Sequence, residues 1–123
     1  MMGHLILVVD DDRDIRDSLI ETLEEHGYTA AGAANGVEAL SVLQTSPQQP
    51  CLILLDLMMP VMDGQEFREE QLKNPVWAAI PVVVISAYAD VDVQARSLAA
   101  EYMRKPLAIR PLIDVVRRHC ANA

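Results

Sequence analysis

The run Leu5-Ile6-Leu7-Val8-Val9, followed at once by Asp10-Asp11-Asp12, is apolar at every position and then abruptly acidic. A strand with one wet face alternates apolar and polar residues. A strand with no polar residue is covered on both faces, as in parallel sheets clad by helices. The pattern recurs at Cys51-Leu52-Ile53-Leu54-Leu55 and, after a leading proline, in the β-branched run Pro81-Val82-Val83-Val84-Ile85. Shorter, weaker strands are expected at about Tyr28 to Gly32 and Tyr102 to Arg104.

Between these runs the apolar spacing changes from continuous to helical. Ile15, Leu19, Leu23 and His26 recur every three or four residues, and Gly27 suits a left-handed helix end. Asn35 and Glu38 have the spacing of a capping box before Ala39, Leu40 and Leu43. Asp63-Gly64 reads as turn and helix entry ahead of Phe67 and Leu72. A weaker helix is expected over roughly Val91 to Leu98. Ile109, Leu112, Ile113 and Val116 mark the last helix, with Pro111 tolerated in its first turn. Strands alternating with amphipathic helices imply an α/β fold, a five-stranded parallel sheet doubly wound by helices. Right-handed crossovers then bring every strand's C-terminal end to one edge, where ligands of such folds bind.

The chain has 123 residues, of which 51% are hydrophobic, so one domain can form a core without metal or disulfide. Eighteen Asp and Glu against ten Lys and Arg leave a net charge of −8. An acidic surface repels phosphate backbones and anionic lipid, which argues against direct nucleic-acid or membrane binding and for partners bringing cations or basic surfaces. Cys51 and Cys120 match no metal or redox spacing, and reduced thiols in a cytoplasmic protein are the expectation. No apolar run is long enough for a membrane span, and the N-terminus does not read as a signal peptide.

The strand ends carry the chemistry. Asp10, Asp11 and Asp12 follow the first strand, Asp56 the third, Ser86 the fourth, and Lys105-Pro106 the fifth. Clustered carboxylates raise one another's pKa unless a cation neutralises them, and a hard divalent ion such as Mg²⁺ does so with oxygen ligands. A carboxylate nucleophile, a metal, an ammonium and a hydroxyl together form equipment for phosphoryl transfer. Their product would be an aspartyl phosphate.

Val8-Val9-Asp10-Asp11, the nine residues Asp56-Leu57-Met58-Met59-Pro60-Val61-Met62-Asp63-Gly64, Ile85-Ser86-Ala87 and Lys105-Pro106 together resemble the receiver domain of two-component response regulators, chemotaxis regulators included. The resemblance covers essentially the whole chain and implies the flavodoxin-like strand order 2-1-3-4-5. It implies Asp56 as phospho-acceptor, and Asp10, Asp11, Asp56 and the Met58 backbone carbonyl around Mg²⁺. Ser86 becomes the switch hydroxyl, Lys105 the partner of the phosphoryl group, and Tyr102 the switch aromatic. The implied donor is a histidine kinase or phosphotransfer protein, and the implied output is a changed surface read by a partner, an effector domain or a second copy. On this reading the chain is a signalling switch rather than a metabolic enzyme. Residues 1–123 are expected to be one receiver domain with no effector segment after it.

Three other readings compete. Asp10 to Asp14 with Glu21 mimics a calcium loop, but Ile15 replaces the turn glycine and a strand precedes it. Asp10 and Asp12 echo the Asp-x-Asp of haloacid-dehalogenase-type phosphatases, although Asp12 also suits a helix N-cap. A flavin carrier would need a phosphate loop where three carboxylates stand. Two departures from the family stand out. The Ser86–Lys105 stretch is short, with Ala99-Ala100 in place of a Gly-Ala pair, so weak helical order is expected over Asp90 to Ala100. Met58 and Tyr88, the positions that flank the phosphoryl group in the family, lack a good general base, which suggests slow autodephosphorylation.

Overall fold

A computed structural model of the chain describes residues 5–57, 59–86, 101–105 and 107–120. Its strands are β1 (Leu5–Val9), β2 (Thr29–Ala33), β3 (Leu52–Asp56), β4 (Val82–Ser86) and β5 (Glu101–Arg104). All neighbouring pairs are parallel and the order is β2-β1-β3-β4-β5. The helices are α1 (Arg13–Glu25), α2 (Gly36–Thr45), α3 (Gly64–Leu72), a four-residue α4 (Pro75–Ala78) and α5 (Ile109–His119). The helix expected over 91–98, and its weak order, fall outside the described residues.

The uninterrupted apolar strands do serve two faces. Ile6 and Val8 of β1 pack with Leu19 and Leu23 of α1 and with Leu112 and Val116 of α5. Leu7 and Val9, pointing the other way, join Ala39 and Leu43 of α2 and Phe67 of α3. Alternate residues of one strand therefore feed separate cores, which is why none is polar.

Local capping follows the sequence closely. Asp12 accepts from the amides of Asp14 and Ile15 and so starts α1, while Gly27, at φ +92°, turns the chain out of it. Asn35 accepts from the Glu38 amide, but Glu38 reaches past Asn35 to the amide of Ala34. Asp63 and Glu66 form a complete capping box at the start of α3.

Two expectations are corrected, and the inward face of one helix is set. On α3, Leu72 is exposed while the neighbouring Gln71 is buried. The reason is α4, which Asn74 caps and whose backbone oxygens at Trp77, together with Ile80, receive the Gln71 amide. Ile109 is likewise exposed, whereas Val115 joins the α5 core face. The cysteines are not free thiols: Cys51, ahead of β3, is bonded to Cys120, the residue ending α5, with their Cα atoms 5.5 Å apart.

Candidate functional site

The C-terminal edge of the sheet gathers the residues that sequence places after each strand. Asp10 follows β1 and is wholly buried, whereas Asp56 closes β3 at 5% exposure. Asp11, beside Asp10, faces solvent, yet carboxylate oxygens of Asp10, Asp11 and Asp56 all lie within 4.8 Å of one another. Lys105, just past β5, reaches between them, with Nζ 2.7 Å from Asp10 Oδ2 and 3.3 Å from Asp56 Oδ2.

Asp10 is held by several partners. Asp10 Oδ1 accepts from the Asp12 amide at 2.9 Å, and the Asp10 amide donates to the Ala33 carbonyl of β2. Arg16, one turn into α1, donates to the Asp10 carbonyl at 2.8 Å. The sequence reading missed Arg16, although its place one helical turn after the Asp12 cap is a usable signal. Burial is the largest single influence on the Lys105 ammonium and opposes its charge. The close approach of Asp10 and the fields of Asp56 and Asp10 outweigh it, so the Lys105 pKa rises above the usual lysine value.

One ammonium does not balance three carboxylates. Asp10 Oδ2 is buried with Lys105 as an ion-pair neighbour, but no donor stands in hydrogen-bond alignment with it among the described residues. Unused acceptor capacity on a buried carboxylate, with two more carboxylates in reach, fits a hard cation bound through oxygen. The carbonyl of Met58, the remaining expected ligand, lies outside the described residues. Beside the cluster a cleft of about 360 Å³ opens between Asp14, Ile15, Ser18 and Leu19 of α1 and Lys105 and Leu107.

Ser86 ends β4 and pairs in register with Arg104, so its backbone stands one position from Lys105 on the neighbouring strand. Tyr102 lies in β5 opposite Val84 and is partly exposed. Tyr88 is outside the described residues. Asp12 is brought near the cluster, but its side chain is occupied as the α1 cap. The phosphatase alternative built on Asp10 and Asp12 finds no support.

Gly64 supports the site in a way that its reading as helix entry did not include. A Cβ there would sit 2.6 Å from the Asp56 carbonyl oxygen and 2.8 Å from Leu57 Cα. The start of α3 thus presses on the backbone that carries Asp56, and the Gly64 amide donates to the Leu57 carbonyl. Three residues earlier, Val61 has φ +68°, a left-handed conformation that β-branched residues avoid.

The family model described as the response regulator receiver domain matches residues 6–117. Sporulation initiation phosphotransferase F of Bacillus subtilis is 34% identical over 122 residues, covering 97% of this chain and 95% of that protein. Response regulator MprA of Mycobacterium ulcerans is 38% identical over 119 residues, covering 94% of this chain but 50% of MprA. The chain therefore spans about half the length of that relative. Among solved structures, the signal receiver domain of a signal transduction histidine kinase from Syntrophus aciditrophicus aligns with a TM-score of 0.84 at 31% identity, over 97% of this chain and 91% of that one. A CheY-like receiver domain protein from Methanospirillum hungatei aligns at 0.83 and 29% identity, over 95% and 93%.

Proposed function

Because the chain belongs to the response regulator receiver domain family, and is thereby a phospho-acceptor domain of two-component signalling, we propose that Asp56 is the carboxylate that takes the phosphoryl group. The observation that carries this is the Lys105 ammonium lying between Asp56 and the buried Asp10 at the strand ends. Of the three clustered carboxylates, Asp56 is the one that closes the third strand, nearly buried yet not sealed.

In the step proposed, an Asp56 carboxylate oxygen attacks the phosphorus of a phosphohistidine on a kinase or phosphotransfer protein. The new P–O bond forms as the P–N bond breaks, and the departing imidazole keeps the electron pair and takes a proton from water. Lys105 then moves its charge from the carboxylates to the phosphoryl oxygens. Asp10, Asp11, Asp56 and the Met58 carbonyl would hold Mg²⁺, which when bound offsets the charge gathered by the carboxylates and the incoming group. Asp10 is kept in the ligating orientation by the Asp12 amide and by Arg16 on its carbonyl. Ser86, beside Lys105 at the sheet edge, supplies the hydroxyl that follows the phosphoryl group, and Tyr102 on β5 reports the change at the surface. With Met58 and Tyr88 at the flanking positions, hydrolysis of the aspartyl phosphate is slow.

The domain on this reading is a switch that promotes its own phosphorylation, works in the cytoplasm and acts through a partner protein, an effector domain or a second copy. Residues 1–123 are read as one receiver unit. The test is incubation with Mg²⁺ and acetyl phosphate, or beryllofluoride, of the wild-type chain and Asp56→Ala. The wild type should gain the mass of one phosphoryl group and the variant none; the same gain in Asp56→Ala would refute the assignment.

A further inference from the structure

We infer that Cys51 and Cys120 form a reversible thiol–disulfide site at the sheet edge opposite the carboxylates, exchanging with a low-molecular-weight thiol and its disulfide. The inference does not rest on phosphoryl transfer at Asp56. Cys51 immediately precedes β3, whose other end is Asp56, roughly 16 Å away along a five-residue strand. Cys120 ends α5, the helix that follows Lys105. The bond therefore ties β3 to α5 at their far ends, while at the near end Lys105, on the segment leading into α5, pairs with Asp56.

Three observations separate a site that can open and reclose from a fixed staple. First, α5 does not need the bond to stay docked. Leu112, Ile113 and Val116 are buried in the core, and Glu101 of β5 holds Arg118 at 2.6 Å and His119 at 2.8 Å, within two residues of Cys120. Reduction would then leave both sulfurs in place, with Cα atoms 5.5 Å apart, inside the range from which a disulfide reforms. Second, a reduced Cys51 has an acceptor waiting, since the Leu5 carbonyl oxygen lies 3.3 Å from its sulfur. Third, the two residues differ in access: Cys120 is 3% exposed, whereas Cys51 is only half-buried.

That asymmetry sets the order of events. An external thiolate attacks Cys51 Sγ; the Sγ–Sγ bond breaks and Cys120 leaves as a thiolate that takes up a proton. A second thiolate attacks the outer sulfur of the mixed disulfide, releasing the small disulfide and the Cys51 thiolate. Two electrons have passed from two small thiols to the protein, and oxidation runs the same steps in reverse. In a reducing compartment such pairs are transient and responsive rather than structural.

The 123-residue chain is equilibrated, natively folded, in glutathione buffers of graded ratio, then acid-quenched, alkylated and weighed. Both cysteines should pass together from unlabelled to doubly labelled in one two-electron transition that reverses when the buffer is reversed. The oxidised chain should melt roughly 10 °C above the reduced one, and a Cys51→Ser/Cys120→Ser chain should melt alike in both buffers. With single variants, Cys51 in Cys120→Ser should be alkylated at least about tenfold faster than Cys120 in Cys51→Ser. Two free thiols in the most oxidising buffer would overturn the inference. So would a disulfide that yields only once the chain is unfolded, or equal alkylation rates at the two positions.

Discussion

Replacing Gly64 by alanine should damage both stability and phosphorylation, and replacing Gly27 by alanine only the first. The added Cβ at position 64 would lie 2.6 Å from the Asp56 carbonyl oxygen and 2.8 Å from Leu57 Cα. Ordinary carbon–oxygen contact is about 3.4 Å, so the start of α3 or the end of β3 must give way by roughly 0.5–0.8 Å, and both obstacles are backbone. Overpacking of this kind costs about 1–3 kcal/mol, which at a typical urea slope for this size lowers the midpoint by roughly 1 M. The atoms that move carry the Asp56 carboxylate, and a displacement approaching 1 Å at a reacting group costs up to about a hundredfold in rate, so a loss of roughly tenfold is expected. At Gly27 a Cβ meets nothing within 4 Å, but φ is +92°. Alanine there costs about 1–2 kcal/mol in backbone strain alone, far from the carboxylates. Urea unfolding gives the first quantity, and the rate of mass gain with Mg²⁺ and acetyl phosphate gives the second. If Gly64→Ala and Gly27→Ala lose similar stability and both keep the wild-type rate, the claim that α3 positions Asp56 through this contact is refuted.

Three further outcomes follow from individual contacts. Hydrogen bonds from Arg118, then from His119, hold the Glu101 carboxyl below its usual value of 4.5. The stability this supplies is present above pH 4.5 and disappears as pH falls through the lower folded value, so Glu101→Gln should flatten the stability curve in that acid window; parallel curves would count against the interaction. Gln71→Leu removes the amide that donates to the Trp77 and Ile80 carbonyls and one hydrogen bond from Arg68, and a loss of about 2–3 kcal/mol by urea unfolding is expected. Val61→Gly relieves a β-branched residue at φ +68° that is 80% exposed and should raise stability by about 1 kcal/mol, net of the glycine's greater unfolded freedom; no gain, or a loss, would show that the loop does not hold this strain in solution.

The carboxylate cluster was legible in the sequence because a topological rule converts position along the chain into position in space. In a parallel sheet with right-handed crossovers, the residue after any strand stands at the same edge as the residue after every other. Asp10, Asp56 and Lys105 needed only correct strand ends to be brought together, and apolar runs closing on charged residues mark those ends well. The same rule has no resolution within an edge. It could not choose between Asp11 and Asp12, and the difference arises from capping: Asp12 turns its side chain to the amides of α1, leaving Asp11 with Asp10 and Asp56.

Where no such rule operates, the sequence reading failed for identifiable reasons. Gln71 rather than the apolar Leu72 is buried because α4 and Ile80 beyond it present carbonyls that an amide can satisfy and a leucine cannot, and apolar periodicity is blind to backbone acceptors. Cys51 and Cys120 are the sharper case. One lies where a strand begins and the other where a helix ends, at the edge of the sheet away from the carboxylate cluster, and a separation of 69 residues encodes nothing about their distance. What places them together is the length of α5: its eleven residues rise roughly 16 Å, about the span of five-residue β3 running beside it. A helix that starts level with the Asp56 end of the sheet and crosses it antiparallel to β3 must finish near Cys51. Shortening α5 by one turn should therefore part the sulfurs by about 5 Å and prevent the bond while leaving Lys105 at Asp56, so the two ends of the same pair of elements can be uncoupled by helix length alone.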